Sequence, residues 1–157
     1  MRKFHESAWR TVLYGFSACW CISTLLLDDF NYSWVVDSSK LWLGWPRIDQ
    51  NEGGVREIYI VYFAMYLHEL VFVFIDSAGD DFVAMVTHHI VTMTLLLASW
   101  LCNLTRIGAL ITILHDVSDL LLQAAKCFNY AKLLNPRMEP VADALFVGFA
   151  ISFYWLR

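Results

Sequence analysis

Long apolar stretches separated by short polar segments dominate the sequence. Five of them approach the roughly 20 residues that a helix needs to cross a hydrocarbon core of about 30 Å. They cover residues 9–27, 57–75, 82–101, 104–128 and 141–157. Charged residues at 76–81, and Pro136 and Pro140 before the last stretch, separate neighbouring stretches. The pattern predicts an all-α, polytopic helical membrane protein with about five transmembrane helices.

The connection at 28–54 is longer than the other loops and rich in aromatic residues. Its aromatic residues are Phe30, Tyr32, Trp34, Trp42 and Trp45. Trp and Tyr are enriched where a membrane meets water. We therefore predict that this connection lies along the membrane interface, with turns at Gly44-Trp45-Pro46 and Gly53-Gly54.

Composition agrees with a membrane protein and narrows its partners. The 157-residue chain is 59% hydrophobic and 17% charged, against about 45–50% and 25% in soluble domains. A net charge of −4 offers no basic surface for nucleic acid. The four cysteines form no C-x-x-C pair, so neither a disulfide framework nor a zinc site is expected. No metal and no permanently bound cofactor is predicted.

Two histidines and two aspartates within neighbouring apolar stretches carry the main functional signal. His88 and His89 lie near the start of the third stretch, and Asp116 and Asp119 lie past the middle of the fourth. Ionisable groups at such positions are costly and usually face a bundle interior or a reaction site. The 1.5 Å rise per residue brings both pairs to a similar depth, because consecutive helices run in opposite directions. The spacing therefore predicts one pocket lined by all four side chains.

A His–Asp pair has a known chemical use. The carboxylate fixes the imidazole tautomer and stabilises the imidazolium that forms when the ring takes a proton. Asp116 or Asp119 is expected to support His88 or His89 in this way. Other readings stay open: one imidazole reaching the interface, the carboxylates as hydrogen-bonding contacts between helices, or a proton-coupled transporter. A di-iron lipid hydroxylase is disfavoured, because only one histidine doublet is present.

Orientation follows from Lys and Arg in short loops. The side that holds the N-terminus has a slight excess of them, which favours a cytoplasmic N-terminus. Two N-x-[ST] sequons, at Asn31 and Asn103, fall on the opposite side. Both lie close to predicted helix ends, so glycosylation is not expected. Arg106 is expected to anchor the fourth helix at the membrane interface. For His68 and Glu69, a structural role and a functional role are equally expected.

The order and spacing of these motifs resemble the TRAM–LAG1–CLN8 (TLC) domain and, within it, the ceramide synthases. The resemblance covers nearly the whole chain and is strongest around the histidine doublet. The matching segments include Trp42-Leu43-Gly44-Trp45-Pro46, Tyr66-Leu67-His68-Glu69-Leu70, Asp81-Phe82 with His88-His89, and His115-Asp116-Val117-Ser118-Asp119. Together they look like a full Lag1 motif.

The resemblance implies a helical barrel in the endoplasmic reticulum membrane that joins a fatty acyl-CoA co-substrate to a sphingoid base. The alternative is a non-catalytic TLC relative that binds or translocates lipid. Assembly into homodimers or heterodimers is left open. The implied catalytic residues are His88, His89, Asp116 and Asp119. Candidate substrate-binding residues are His115, Tyr66, Glu69, Asn103 and Arg106.

Two departures from the family pattern affect these expectations. Ala78-Gly79-Asp80 stands where relatives often carry a basic residue before Asp81-Phe82, which would weaken docking of the CoA phosphates. Residues 1–157 are expected to form a single TLC domain that is incomplete at the C-terminus, one helix short of six. The amino-terminal helix and homeobox-like segment of many relatives are also absent from the sequence.

Overall fold

The computed structural model describes residues 2–27, 29–47, 54–75, 82–133 and 135–156. Within these ranges the chain is helical and forms no β-strand, which confirms the predicted all-α class. The α-helices are α1 (Arg2–Leu26), α2 (Asp29–Val36), α3 (Val55–Ile75), α4 (Phe82–Leu101), α5 (Thr105–Ala131) and α6 (Glu139–Leu156). Short 3₁₀ turns occupy Ser38–Trp42 and Pro136–Met138.

In the described part of the chain, three helices are long and apolar enough to cross a membrane, namely α3, α4 and α5. They coincide with the stretches predicted at 57–75, 82–101 and 104–128. The helices predicted at 9–27 and 141–157 are also present, as α1 and α6. That these two cross the membrane stays a prediction.

The long connection contains a helix that its composition did not indicate. In α2, Asn31 and Trp34 are fully buried, and the Trp34 indole donates to Asn31 Oδ1 at 3.2 Å. Asp37 then caps the 3₁₀ turn by accepting from the Ser39 amide and hydroxyl. These hydrogen bonds hold the pKa of the Asp37 carboxyl below its usual range. The interfacial position of this connection stays a prediction.

Several predicted features lie outside the described residues. They are the charged loop at 76–81, the turn residue Gly53, and Asp28 after the first helix. The loop includes Asp81 and the Ala78-Gly79-Asp80 segment that differs from the family pattern. Gly54 is described, and its φ of 76° is the left-handed conformation that glycine adopts without strain.

The chain divides into two compact units. The first contains Met1–Ser23 and Ile111–Arg157, and the second contains Thr24–Leu110. In the second unit α3 and α4 are antiparallel, since Tyr59 contacts Trp100 at one end and Phe74 contacts Phe82 at the other. In the first unit α1 contacts α5 through Ser17 and Asp116, and Lys132 forms an ion pair of 3.5 Å with Glu139 at the start of α6.

A left-handed residue ends α4 and directs the chain into α5. Asn103 has a φ of 56°. Its main-chain amide donates to the Trp100 carbonyl, and the main-chain amide of Leu104 donates to the Ser99 carbonyl at 2.8 Å. These are the two hydrogen bonds of a Schellman motif, in which Asn is a common substitute for Gly. The corner between α4 and α5 is therefore set by local sequence.

Candidate active site

The histidine doublet lies in the second unit and faces two environments. His89 is 1% exposed and its ring lies 6.1 Å from that of Tyr66 on α3. His88 is half-buried, 5.4 Å from the His89 ring, and its carbonyl accepts from the Thr92 hydroxyl. Adjacent residues on a helix point about 100° apart, so only one of the two imidazoles enters the helix interface. The structure thereby brings Tyr66 and His89 together.

A polar stripe on α3 continues away from this contact. Tyr62, Tyr66 and Glu69 are all buried and follow the helical spacing of three to four residues. Glu69 is 2% exposed, and its Oε1 lies 3.7 Å from Nδ1 of the half-exposed His68. A buried carboxyl group needs compensating contacts, and the adjacent imidazole is one of them.

Asn103 and Arg106 hold the Lys40–Pro46 segment against the corner between α4 and α5. Arg106 is 4% exposed, and its Nη1 donates to the carbonyls of Lys40 and Leu43 at 2.9 and 2.8 Å. The side-chain amide of Asn103 donates to the Pro46 carbonyl at 2.8 Å, and the Trp45 indole donates to the Cys102 carbonyl. Both candidates therefore contact the main chain. Their role in substrate binding stays a prediction.

Asp116 lies in the first unit and is fully buried. Its Oδ2 accepts a hydrogen bond of 2.6 Å from the hydroxyl of Ser17 on α1, which is itself 1% exposed. Asp119, one turn later on α5, is half-buried. His115 is half-exposed, and its Nδ1 lies 2.9 Å from the Ile111 carbonyl of the preceding turn. Of the two aspartates, Asp116 is the one enclosed by protein.

Gln123 extends the Asp116 face of α5 by two turns. It is 7% exposed, and its Oε1 has no hydrogen-bond partner among the described residues. Residues seven apart lie on one helix face. A buried side-chain amide therefore lies on the same face of α5 as Asp116.

Ser17 was not among the site residues predicted from the sequence, although it contacts the candidate catalytic carboxylate Asp116. A serine within an apolar stretch carries no distinctive signal alone. Ser7, Tyr14, Ser17 and Cys21 nevertheless share a buried stripe of α1 at helical spacing, and small polar residues on one face favour close helix packing. The convergence of the histidine doublet with Asp116 and Asp119 on one pocket stays a prediction.

Comparison with known proteins agrees with the resemblance of the motifs. The sequence profile of the TLC domain (TRAM_LAG1_CLN8) matches residues 3–157. Ceramide synthase 5 of Homo sapiens is 37% identical over 100% of this chain and 38% of its own length. Ceramide synthase 4 of Bos taurus is 33% identical over 99% of this chain and 37% of its own length.

A plant relative is similar over a larger share of its length. Ceramide synthase 1 LOH3 of Arabidopsis thaliana is 29% identical over 100% of this chain and 50% of its own length. The chain thus spans half or less of the length of these three relatives. No solved structure matches. Since the profile matches nearly every residue, the chain belongs to the TLC domain family.

Proposed function

We propose that this chain carries the acyl-transfer chemistry of ceramide synthesis, the N-acylation of a sphingoid base by a fatty acyl-CoA. The observation that carries the proposal is the burial of His89 and Asp116, at 1% and 0% exposure, in helices apolar enough to cross a membrane. Ionisable groups are retained in such surroundings chiefly for function. The names of the relatives support this chemistry and supply the substrate class.

In the proposed reaction a histidine of the doublet acts as general base. The amine of a sphingoid base is largely protonated near neutral pH, as an unperturbed alkylamine is, so it reacts as the minor neutral form. The nitrogen attacks the thioester carbonyl and the imidazole takes the proton that the nitrogen loses. The C–N bond forms, the C–S bond breaks, and the imidazolium returns its proton to the CoA thiolate.

The two histidines allow a second route to the same amide. One imidazole attacks the thioester first, giving an acyl-imidazole and free CoA, and the amine then takes the acyl group. In both routes an aspartate that stays ionised stabilises the positively charged imidazole. Asp116 or Asp119 has this role in the proposal, and no metal is needed for either step.

The location proposed for this reaction is the endoplasmic reticulum membrane, with the N-terminus in the cytoplasm. The slight Lys and Arg excess on the N-terminal side supports this orientation. The side-chain amides of both sequon residues make protein contacts, Asn31 with Trp34 and Asn103 with Pro46. These contacts support the expectation that neither asparagine is glycosylated.

The proposal is tested by assaying this chain in membranes with a fatty acyl-CoA and sphinganine and measuring ceramide by mass spectrometry. His88→Ala, His89→Ala and Asp116→Asn are each expected to lower turnover by about 10²–10⁴-fold, the usual contribution of a positioned proton-transfer group. Matched controls are His5→Ala and Asp143→Asn, both at exposed positions, which should keep normal turnover. Normal ceramide formation in both histidine variants, or in Asp116→Asn and Asp119→Asn alike, would refute the assignment.

A further inference from the structure

Ser17 of α1 is joined to Asp116 of α5 by a side-chain hydrogen bond. The residues are 99 apart in sequence, both are almost completely enclosed, and the Oγ–Oδ2 distance is 2.6 Å. Hydroxyl-to-carboxylate hydrogen bonds of 2.5–2.7 Å are the charge-assisted kind, about twice as strong as neutral ones. The contact lies within the first unit, between α1 and α5.

The Ser17 hydroxyl also lies near a second acceptor. Its Oγ is 3.0 Å from the carbonyl of Tyr14, one turn earlier on α1. A hydroxyl has a single proton to donate and two lone pairs that accept. A main-chain carbonyl only accepts, whereas a carboxyl group accepts when ionised and donates when protonated. With Asp116 ionised, the single hydroxyl proton can satisfy only one of these two acceptors. With Asp116 protonated, the carboxylic acid donates to the serine oxygen and the hydroxyl proton is left for the Tyr14 carbonyl.

We infer that Ser17 is a positioning residue whose hydroxyl follows the protonation state of Asp116. When Asp116 is ionised, the hydroxyl donates to Oδ2. When Asp116 takes a proton, the hydroxyl turns to the Tyr14 carbonyl and its oxygen accepts from the carboxylic acid. No bond between heavy atoms forms or breaks, and the Asp116 oxygen keeps a partner in both states.

This inference rests on the proposed function, because an ionised carboxylate is what supports a histidine base. A serine that only back-bonded to its own helix, as many helical serines do, would have the Tyr14 carbonyl as its nearest acceptor. The observed order is reversed, with 2.6 Å to Asp116 and 3.0 Å to Tyr14. Ser17 is therefore directed at Asp116 rather than only at its own helix.

The test is the pH dependence of ceramide formation by Ser17→Ala in this chain. Loss of a hydrogen bond to a buried charged group is expected to lower turnover about 10- to 100-fold near neutral pH. The acid limb of the pH–rate profile should be displaced from that of the wild type, because removing the hydroxyl changes the balance between the two protonation states of Asp116. KM should change little, since Ser17 is not proposed to touch substrate. Ser17→Thr keeps the hydroxyl and should restore the wild-type profile.

Ser7→Ala is the matched control, because Ser7 is also buried on α1 but lies ten residues from Ser17. It should leave the profile unmoved. Infrared titration of the carboxyl band that disappears in Asp116→Asn gives a readout that does not depend on activity, and Ser17→Ala should displace the midpoint of that titration. An unmoved profile and band in Ser17→Ala, with an active wild type, would overturn the inference and leave the proposed function standing. Absence of ceramide formation by the wild type would instead refute the proposed function.

Discussion

Two regions along α5 bury polar side chains in different ways. At the corner, Arg106 donates to two main-chain carbonyls, and Asn103 donates to a third. Further along the helix, Asp116 takes its hydrogen bond from a side-chain hydroxyl, that of Ser17. Carbonyls have one state, so the corner contacts are insensitive to pH. In our proposal the Asp116 contact exchanges donor and acceptor roles when the carboxyl takes a proton, so it should respond to pH.

The difference indicates that some polar residues of the family motifs stabilise helix ends, and need not take part in a reaction. Tyr59 supports the same interpretation of the corner, because its hydroxyl lies 2.8 Å from the Ser99 hydroxyl and donates to the Thr105 carbonyl. A polar side chain that satisfies main-chain groups fixes where a helix begins or ends. Variants at the corner should therefore change stability, and variants at Asp116 or Ser17 should change the pH dependence of turnover.

The largest effect on stability is expected from Arg106→Leu. This change removes two hydrogen bonds from a buried guanidinium, each worth about 1.5–3 kcal/mol, so we expect a loss of about 3 kcal/mol or more. Thermal unfolding in detergent measures it, and faster hydrogen exchange in Lys40–Pro46 locates it. Arg47→Leu, at an exposed arginine, is the control. A displaced pH profile in Arg106→Leu would contradict the distinction between the two regions.

Sequence reasoning predicted the helices where polarity marks their ends. The helix at 82–101 matches α4 at both ends, because charged residues precede it and Asn103 follows it. The start of α1 was placed at Trp9, although the helix begins at Arg2, because its polar first residues do not register as part of an apolar stretch. The helix α2 was missed for a related reason, since aromatic content predicts an interface and says little about backbone conformation.

The candidate site was predictable to a smaller extent. Burial of His89 and Asp116 follows from ionisable residues within apolar helices, and the structure bears it out. The Ser17 contact depends on how α1 packs on α5, which no local pattern specifies. The corner contacts of Arg106 also depend on a segment more than 60 residues earlier, so the sequence alone favoured an interfacial anchor.

An intermediate effect is expected from Gly108→Ala at the corner. A Cβ at Gly108 would collide with the Tyr59 hydroxyl and approach Ser99 Oγ to 2.8 Å. Overpacking of this kind typically costs about 1–3 kcal/mol, and it displaces Tyr59 from Thr105. Gly148→Ala is the matched control, because nothing lies within 4 Å of its added Cβ. Equal melting temperatures of these two variants would show that Tyr59 does not pack on Gly108 as described.

The smallest effect is expected from Gly15→Ala, in the region of Ser17. An added Cβ would lie 3.6 Å from Leu120 Cδ1, an ordinary van der Waals distance. Alanine is favoured over glycine in a helix by about 0.8–1 kcal/mol, so this variant should melt at or slightly above the wild-type temperature, as Gly148→Ala does. Because α1 keeps its place on α5, the Ser17–Asp116 contact and the acid limb of the pH–rate profile should also stay unchanged. A stability loss in Gly15→Ala would mean that α1 packs on α5 more tightly than this distance indicates. If the acid limb of the pH–rate profile shifted as well, Asp116 would respond to the position of the whole helix rather than to the Ser17 hydroxyl.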